Sequence, residues 1–190
     1  MNETNKQSSI FAPIAALGLT CLIVTALLAV TNFFTAPVIA EQSGNKANAA
    51  RLLVLPEGDD FSLIDLPEGA AESGVTEIAR AGNGAGYTVT VVTPGYHGDI
   101  TAMFGIGPDG KISGVEVLEH TETQGLGERI VTPEFRQQFT GKSGVLNLVK
   151  GGANTEQDIE ALAGATVSST AMTNAANAAL AAYEQSKEVS

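Results

Sequence analysis

Residues 86–118 read GYTVTVVTPGYHGDITAMFGIGPDGKISGVEVL, and the two-residue period in this stretch sets the fold class. Tyr87, Val89 and Val91 alternate with threonine and valine, as a half-buried strand requires. Pro94-Gly95-Tyr96-His97-Gly98 turns the chain, and Ile100 to Ile106 alternates again. Gly107-Pro108-Asp109-Gly110 is a second turn, and Ile112 to Leu118 resumes as a strand with a bulge expected at Ser113-Gly114. Strands joined by such short turns form hairpins, so the sheet is expected to be antiparallel.

Downstream the period changes. Thr132-Pro133-Glu134 predicts a helix start with proline at the first helical position, Phe135 and Phe139 share a face, and Gly141 ends the helix. Lys142 to Val149 has room for one more strand before Gly151-Gly152 breaks the chain. Thr155 with Asp158 resembles a capping box and predicts a short helix ending at Gly164. Met172, Ala175, Ala176, Ala179, Leu180 and Tyr183 then recur at helical spacing on one face. This order of elements predicts an α+β fold with a mainly antiparallel sheet and packed helices.

Upstream, no charged residue occurs between Ser8 and Ala40, and Ile10 to Val30 has the roughly 20 apolar residues a membrane-spanning helix needs. A cleaved signal peptide is the competing reading, with Val38-Ile39-Ala40 as its cleavage site. The apolar run, however, exceeds the usual core of about 7–15 residues, and the N-terminus carries Lys6 rather than a basic cluster. A single transmembrane helix is therefore expected. Lys6 and the α-amine on one side nearly balance Lys46 and Arg51 on the other, so charge does not orient it. Residues 41–54 suggest a short juxtamembrane helix ending before Pro56, and the turn signals at Pro56 and Pro67 make the following segment a lead-in. The expected organisation is 1–40, N-terminal tail and transmembrane anchor; 41–85, juxtamembrane lead-in; 86–184, the α+β domain; and 185–190, a tail.

The net charge of -11 falls wholly after residue 40, since Glu3 and Lys6 cancel, and so acidic a domain is a poor partner for nucleic acid. The single cysteine, Cys21, lies in the apolar segment, leaving no thiol set for a disulfide, metal or iron–sulfur cluster. His97 and His120 lack the close spacing of a metal-binding pair and read as satisfied structural histidines. Any redox chemistry therefore needs a cofactor.

The chemistry is expected between Asp158 and Thr170. Small residues at Gly164 and Ala165 leave backbone and the Thr166 hydroxyl open to a ligand, and Ser168, Ser169 and Thr170 are N-cap candidates for the last helix. A helix N-terminus beside Thr166 favours an anion such as a phosphate. Glu119 to Gly127 is a loop dense in polar groups, and its two glycines permit close backbone approach to a flat or charged ligand.

Taken together, the chain resembles the G subunit of the Rnf electron-transport complex and, more distantly, the C subunit of the sodium-translocating NADH:quinone oxidoreductase. The likeness extends over nearly the whole chain: one N-terminal span, Gly95-Tyr96-His97-Gly98-Asp99-Ile100, Asp109-Gly110-Lys111-Ile112, Glu122-Thr123-Gln124-Gly125-Leu126-Gly127 and Gly164-Ala165-Thr166. The resemblance implies that residues 86–184 are an FMN-binding domain facing away from the cytoplasm. It also implies FMN joined through its phosphate to the threonine closing a motif Asp-x-x-Ser/Thr-Gly-Ala-Thr, here Thr166. Glu160 stands at the acidic position and Ala163 at the hydroxyl position, which bears on recognition by the flavin transferase that makes the bond. Gly164, Ala165 and Ser168 would surround the attachment point, with Ser168 and Thr170 as fallback hydroxyls. Glu122, Thr123, Gly125, Leu126 and Gly127 match the segment that lies against the flavin.

What the resemblance implies about function is an electron carrier in a membrane complex that moves electrons between ferredoxin and NAD and couples this to sodium or proton movement. Such a carrier is not a stand-alone enzyme. Its partners would be other membrane and iron–sulfur subunits, a flavin transferase and membrane lipid, in the inner or cytoplasmic membrane with the FMN domain on the periplasmic side. The alternatives are a tethered flavin module serving as a sensor or as a carrier for an extracytoplasmic reductase, and a structural envelope protein without a cofactor.

Overall fold

The computed structural model describes residues 8–152 and 155–188; Glu3 and Lys6, which entered the charge count, and the last two residues of the tail lie outside them. Two compact units divide at Lys46 and Ala47. Helix α1 is Ser8–Val54, so the short juxtamembrane helix expected over 41–54 is part of a longer element. Its first unit contains Pro13–Thr35, 23 residues of mean hydropathy 2.4 with no side chain buried, long and apolar enough to cross a bilayer.

The second unit is an α+β domain. Its five strands, β1 (Phe61–Ile64), β2 (Val75–Ala81), β3 (Tyr87–Pro94), β4 (Asp99–Ile106) and β5 (Ile112–His120), lie side by side in sequence order, every pair antiparallel. The meander expected from residue 86 onward is present, and the bulge falls at Ser113, because Gly105 pairs with Gly114 and Ile106 with Ile112. Two strands, β1 and β2, come from the stretch read as lead-in. Alternation in β2 is blurred by Thr76, Glu77 and Arg80, and the strand gains its register from β3, where Ile78 faces Val89.

Helix α2 (Pro133–Gln137) opens on proline as expected, and Phe135 and Phe139 pack edge to face at 5.5 Å. The chain then forms β6 (Asn147–Val149) and β7 (Asp158–Glu160), a parallel pair. Here the expected short helix from Thr155 to Gly164 does not form. Asp158 Oδ2 does accept the Thr155 N–H at 2.9 Å, the local half of a capping box, but Asn147, Leu148 and Val149 pair with Asp158, Ile159 and Glu160 and draw the chain into a strand. Ile159 is fully buried, so tertiary burial overrides the local helix signal.

Helix α3 (Thr166–Glu188) closes the domain. Met172, Ala175, Ala176, Ala179, Leu180 and Tyr183 are all buried against the face of the sheet carrying Val89, Val91, Ala102, Phe104 and Val115. Alanine on the helix face lets the backbone lie close to the sheet, and the large residues come from the strands. Tyr183 of α3 and Tyr87 at the start of β3 meet edge to face at 5.4 Å. The opposite face of β4 presents Met103 to Ala50 and Val54, and Ser113 Oγ donates to Val54 O at 2.6 Å.

Phe104 sits in the middle of β4, fully buried and 6.4 Å from the Phe139 ring. Phe104→Ala is expected to lower the unfolding free energy by about 3–5 kcal/mol. At exposed Val145 an alanine should change it by no more than about 0.5 kcal/mol. Urea titration of the two variants against the parent measures both.

Candidate functional site

Three segments converge at one end of α3. The first is the turn between β3 and β4, closed by the Gly95 N–H donating to Gly98 O at 2.8 Å. The second is the loop after β5, where Leu126 and Glu128 N–H both donate to Thr123 O. The third is the entry into α3, where Gly164 holds φ of +80°, a left-handed conformation that reverses the chain from β7 into the helix and is suited to glycine.

Glu122 binds these segments together. It is 6% exposed, and its Oε1 accepts the N–H groups of Tyr96 at 2.8 Å and His97 at 3.1 Å. Its Oε2 accepts a short hydrogen bond from Ser168 Oγ, in the first turn of α3. Gly127 makes room for this contact, since a Cβ there would lie 2.8 Å from Ser168 Oγ and 2.9 Å from Glu122 Cβ. Burial raises the Glu122 pKa, but the hydrogen bonds from Ser168, His97 and Tyr96 and the charge of His120 together outweigh it and hold the carboxyl below its ordinary value.

Beside this clamp is a cavity of about 370 Å³, in the range of small-ligand pockets. Glu122, Thr123, Leu126, Gly127, Gly164, Ala165, Thr166 and Ser168 line it, so eight of the nine residues singled out from sequence come together. Gly125 does not. It has φ of +73°, a conformation suited to glycine, and open space where a Cβ would stand. Two lining residues escaped the sequence reading, Tyr96 and Val167. Tyr96 lay within a quoted motif, but nothing local shows that Glu122 turns it toward the later loop.

The serine run does not cap α3. The helix begins at Thr166, and Ser168, Ser169 and Thr170 fall within its first turns. Ser169 Oγ donates to Ala165 O at 2.9 Å and accepts the Leu162 N–H at 3.0 Å, while Thr170 Oγ1 donates to Thr166 O at 2.8 Å. Of the hydroxyls near the helix start, Ser168 is buried and engaged by Glu122; Thr166, half-buried and in the cavity wall, is placed for a ligand. Glu160 and Ala163 lie outside the lining: Glu160 N–H donates to Gln138 Oε1 at 2.7 Å, and Ala163 O faces the exposed Arg129. His120 differs from the satisfied histidine expected, because its Nδ1 is buried without a partner. Among the described residues no cluster of three or more His, Cys, Asp or Glu side chains is arranged to hold a metal.

The donor set fits a phosphate-bearing aromatic cofactor. Tyr96, Leu126 and Val167 give the cavity an apolar lining, a helix start supplies N–H groups and a favourable dipole, and the single carboxylate is occupied by three donors.

Two family models match the chain, the FMN-binding domain over residues 95–181 and the RnfG N-terminal region over residues 5–53. Every residue lining the cavity falls within the first. The sequence is 34% identical to the G subunit of the Na(+)-translocating ferredoxin:NAD(+) oxidoreductase complex of Acetobacterium woodii, across 88% of this chain and 90% of that one. It is 32% identical to the G subunit of the proton-translocating ferredoxin:NAD(+) oxidoreductase complex of Clostridium ljungdahlii, across 91% of each. In fold it is similar to NqrC of Shewanella oneidensis, with a TM-score of 0.54, 21% identity and 74% of each chain covered. The C subunit of the Na(+)-translocating NADH-quinone reductase of Parabacteroides distasonis gives 0.51 at 22% identity, over 64% of this chain and 67% of that one.

The Glu122 clamp has a pH signature. Its folded-state pKa lies below the unfolded value, so its stabilisation is complete above the ordinary glutamate range and is lost as pH falls through the lowered folded-state value. Urea midpoints measured down through this acid range should fall, and Glu122→Gln should remove this component of the fall. At neutral pH Glu122→Ala is expected to cost about 1–3 kcal/mol for each buried donor left without its acceptor.

Proposed function

The chain belongs to the G-subunit family of ion-translocating ferredoxin:NAD oxidoreductase complexes and contains an FMN-binding domain, and from this premise we propose that it is a membrane-anchored flavin electron carrier with FMN joined through its phosphate to Thr166. The observation that carries the proposal is the placing of Thr166, the first residue of α3, in the same cavity wall as the loop from Glu122 to Gly127. A phosphoester at Thr166 Oγ1 puts the phosphate beside the first-turn N–H groups of α3. Leu126 and Val167 would shield part of the ring from water, while the Glu122 carboxylate, its oxygens taken up by three donors, would keep the loop and helix in register.

Bound FMN supplies the redox chemistry, and the protein supplies position and environment. The only cysteine, Cys21, lies in the apolar segment, so this chain builds no iron–sulfur centre of its own. Electrons therefore enter and leave through other membrane and iron–sulfur subunits. Coupling to sodium or proton movement belongs to the assembled complex. The domain faces the extracytoplasmic side, anchored by the Pro13–Thr35 segment, and a flavin transferase attaches the cofactor there.

Protein produced together with a flavin transferase should fluoresce under ultraviolet light after denaturing electrophoresis, and Thr166→Ala should abolish the signal. Undiminished covalent flavin in that variant would overturn the attachment site; exposed Thr170 would then be tested before buried Ser168. Protease added outside sealed cells should digest the acidic domain and spare the anchor. Complete protection would place the domain in the cytoplasm.

A further inference from the structure

Tyr96 is unusual among the residues around the cavity. Its side chain is an aromatic ring on a four-residue turn, yet the residue is 70% exposed, more than Leu126 at 48% or Val167 at 49%, which line the same cavity. The backbone beneath it is tightly held, because the Tyr96 and His97 N–H groups share Glu122 Oε1 and the turn closes on itself through Gly95 and Gly98. A surface turn with no further task has no need of a buried carboxylate to fix it. The same carboxylate holds Ser168, two residues beyond Thr166, so the position of the Tyr96 backbone is tied to that of the attachment helix.

Resting on the reading that FMN occupies this cavity, we propose that Tyr96 is a flavin-contacting residue whose phenol ring lies against the isoalloxazine, and that Glu122 is the positioning residue that holds it there. A flat, electron-poor heteroaromatic ring is a suitable partner for a phenol, and contact removes the exposed apolar faces of both from water. Leu126 and Val167 add aliphatic cover, and neither can stack as an aromatic ring does. The Glu122 hydrogen bonds act on the backbone of Tyr96, leaving its ring free to meet the cofactor.

The contact has an optical consequence separate from electron transfer in the complex. A phenol touching an excited flavin quenches its emission by lending an electron that returns at once, so neither group is changed. Phenylalanine keeps an aromatic face but is a far poorer donor, and leucine removes the aromatic face. The test uses the full-length protein in detergent, flavinylated by a transferase, as parent, Tyr96→Phe, Tyr96→Leu and Glu122→Ala. Covalent flavin on denaturing gels, emission yield and lifetime, visible circular dichroism, and quenching by iodide are measured.

In the parent, flavin emission should be weak and poorly accessible to iodide. Tyr96→Phe should relieve quenching while keeping the circular dichroism and protection from iodide. Tyr96→Leu should relieve quenching, alter the circular dichroism and increase iodide access. Glu122→Ala leaves the Tyr96 and His97 N–H groups without their acceptor, so it should relieve quenching and raise iodide access with Tyr96 itself intact; covalent flavin with parental emission and iodide access in that variant would overturn the positioning role of Glu122. If Tyr96→Leu keeps covalent flavin with emission, dichroism and iodide access unchanged, Tyr96 does not contact the ring and the inference fails. If the parent's covalent flavin is already as emissive and as accessible as free FMN, the placing of the ring in the cavity fails first.

Discussion

A single buried carboxylate holds the candidate site together. Removing an ionised glutamate from water costs several kcal/mol unless hydrogen bonds replace its hydration. Glu122 meets that condition with donors from two separate segments: the Tyr96 and His97 N–H groups of the β3–β4 turn and the Ser168 hydroxyl of α3. Charge-assisted bonds of this kind contribute about 1.5–3 kcal/mol each net of desolvation. The turn, the loop and the helix start consequently behave as one unit. A change at any of them alters the geometry around Thr166.

That clamp works because the core beneath it is fixed. The alanine-rich face of α3 lies on a sheet whose side chains supply the bulk, with Phe104 and Val89 on paired strands and Met172 and Ala176 on the helix. Register in β3, β4 and β5 brings both the Gly95–Gly98 turn and the end of β5 to the same end of the sheet: Pro94 pairs with Asp99, and Ile100 with His120. Glu122 follows two residues after His120. The sheet thus sets the distance the carboxylate must span, and Gly127 leaves the space into which it fits.

The parts legible in the sequence were those whose period is strong and whose partners are close in the chain. Strands β3 to β5 are rich in β-branched and apolar residues and are joined by short turns, and the six residues of α3 at helical spacing are all in the core. Strands β1 and β2 were less legible because charged and small residues interrupt their pattern, and β3 supplies the missing information as a pairing partner. Strand β7 misled because Thr155 and Asp158 do make a local capping bond, and only burial of Ile159 beside β6 decides against a helix. The site shows the same division. Its small residues and hydroxyls could be found by motif, whereas the difference between Gly125 in open space and Gly127 against Glu122 depends on contacts across the fold. Tyr96 needed knowledge of a hydrogen bond spanning 26 residues.

The exposure of the cavity walls bears on why a covalent bond suits the proposed carrier. Tyr96, Leu126 and Val167 line the cavity while remaining well exposed, so a flavin covered by them would still lie near the protein surface. A deep pocket would hold it better, but added protein between the ring and its redox partners lengthens the path for electrons. The proposed phosphoester at Thr166 would separate the two requirements. It would retain the cofactor irrespective of how much ring surface the protein covers, leaving the lining to orient the ring and adjust its surroundings. Under the proposed attachment, Thr166 and the helix start would determine retention, Glu122 would set where the surrounding segments stand, and the exposed apolar lining would leave a side of the flavin accessible to the rest of the complex.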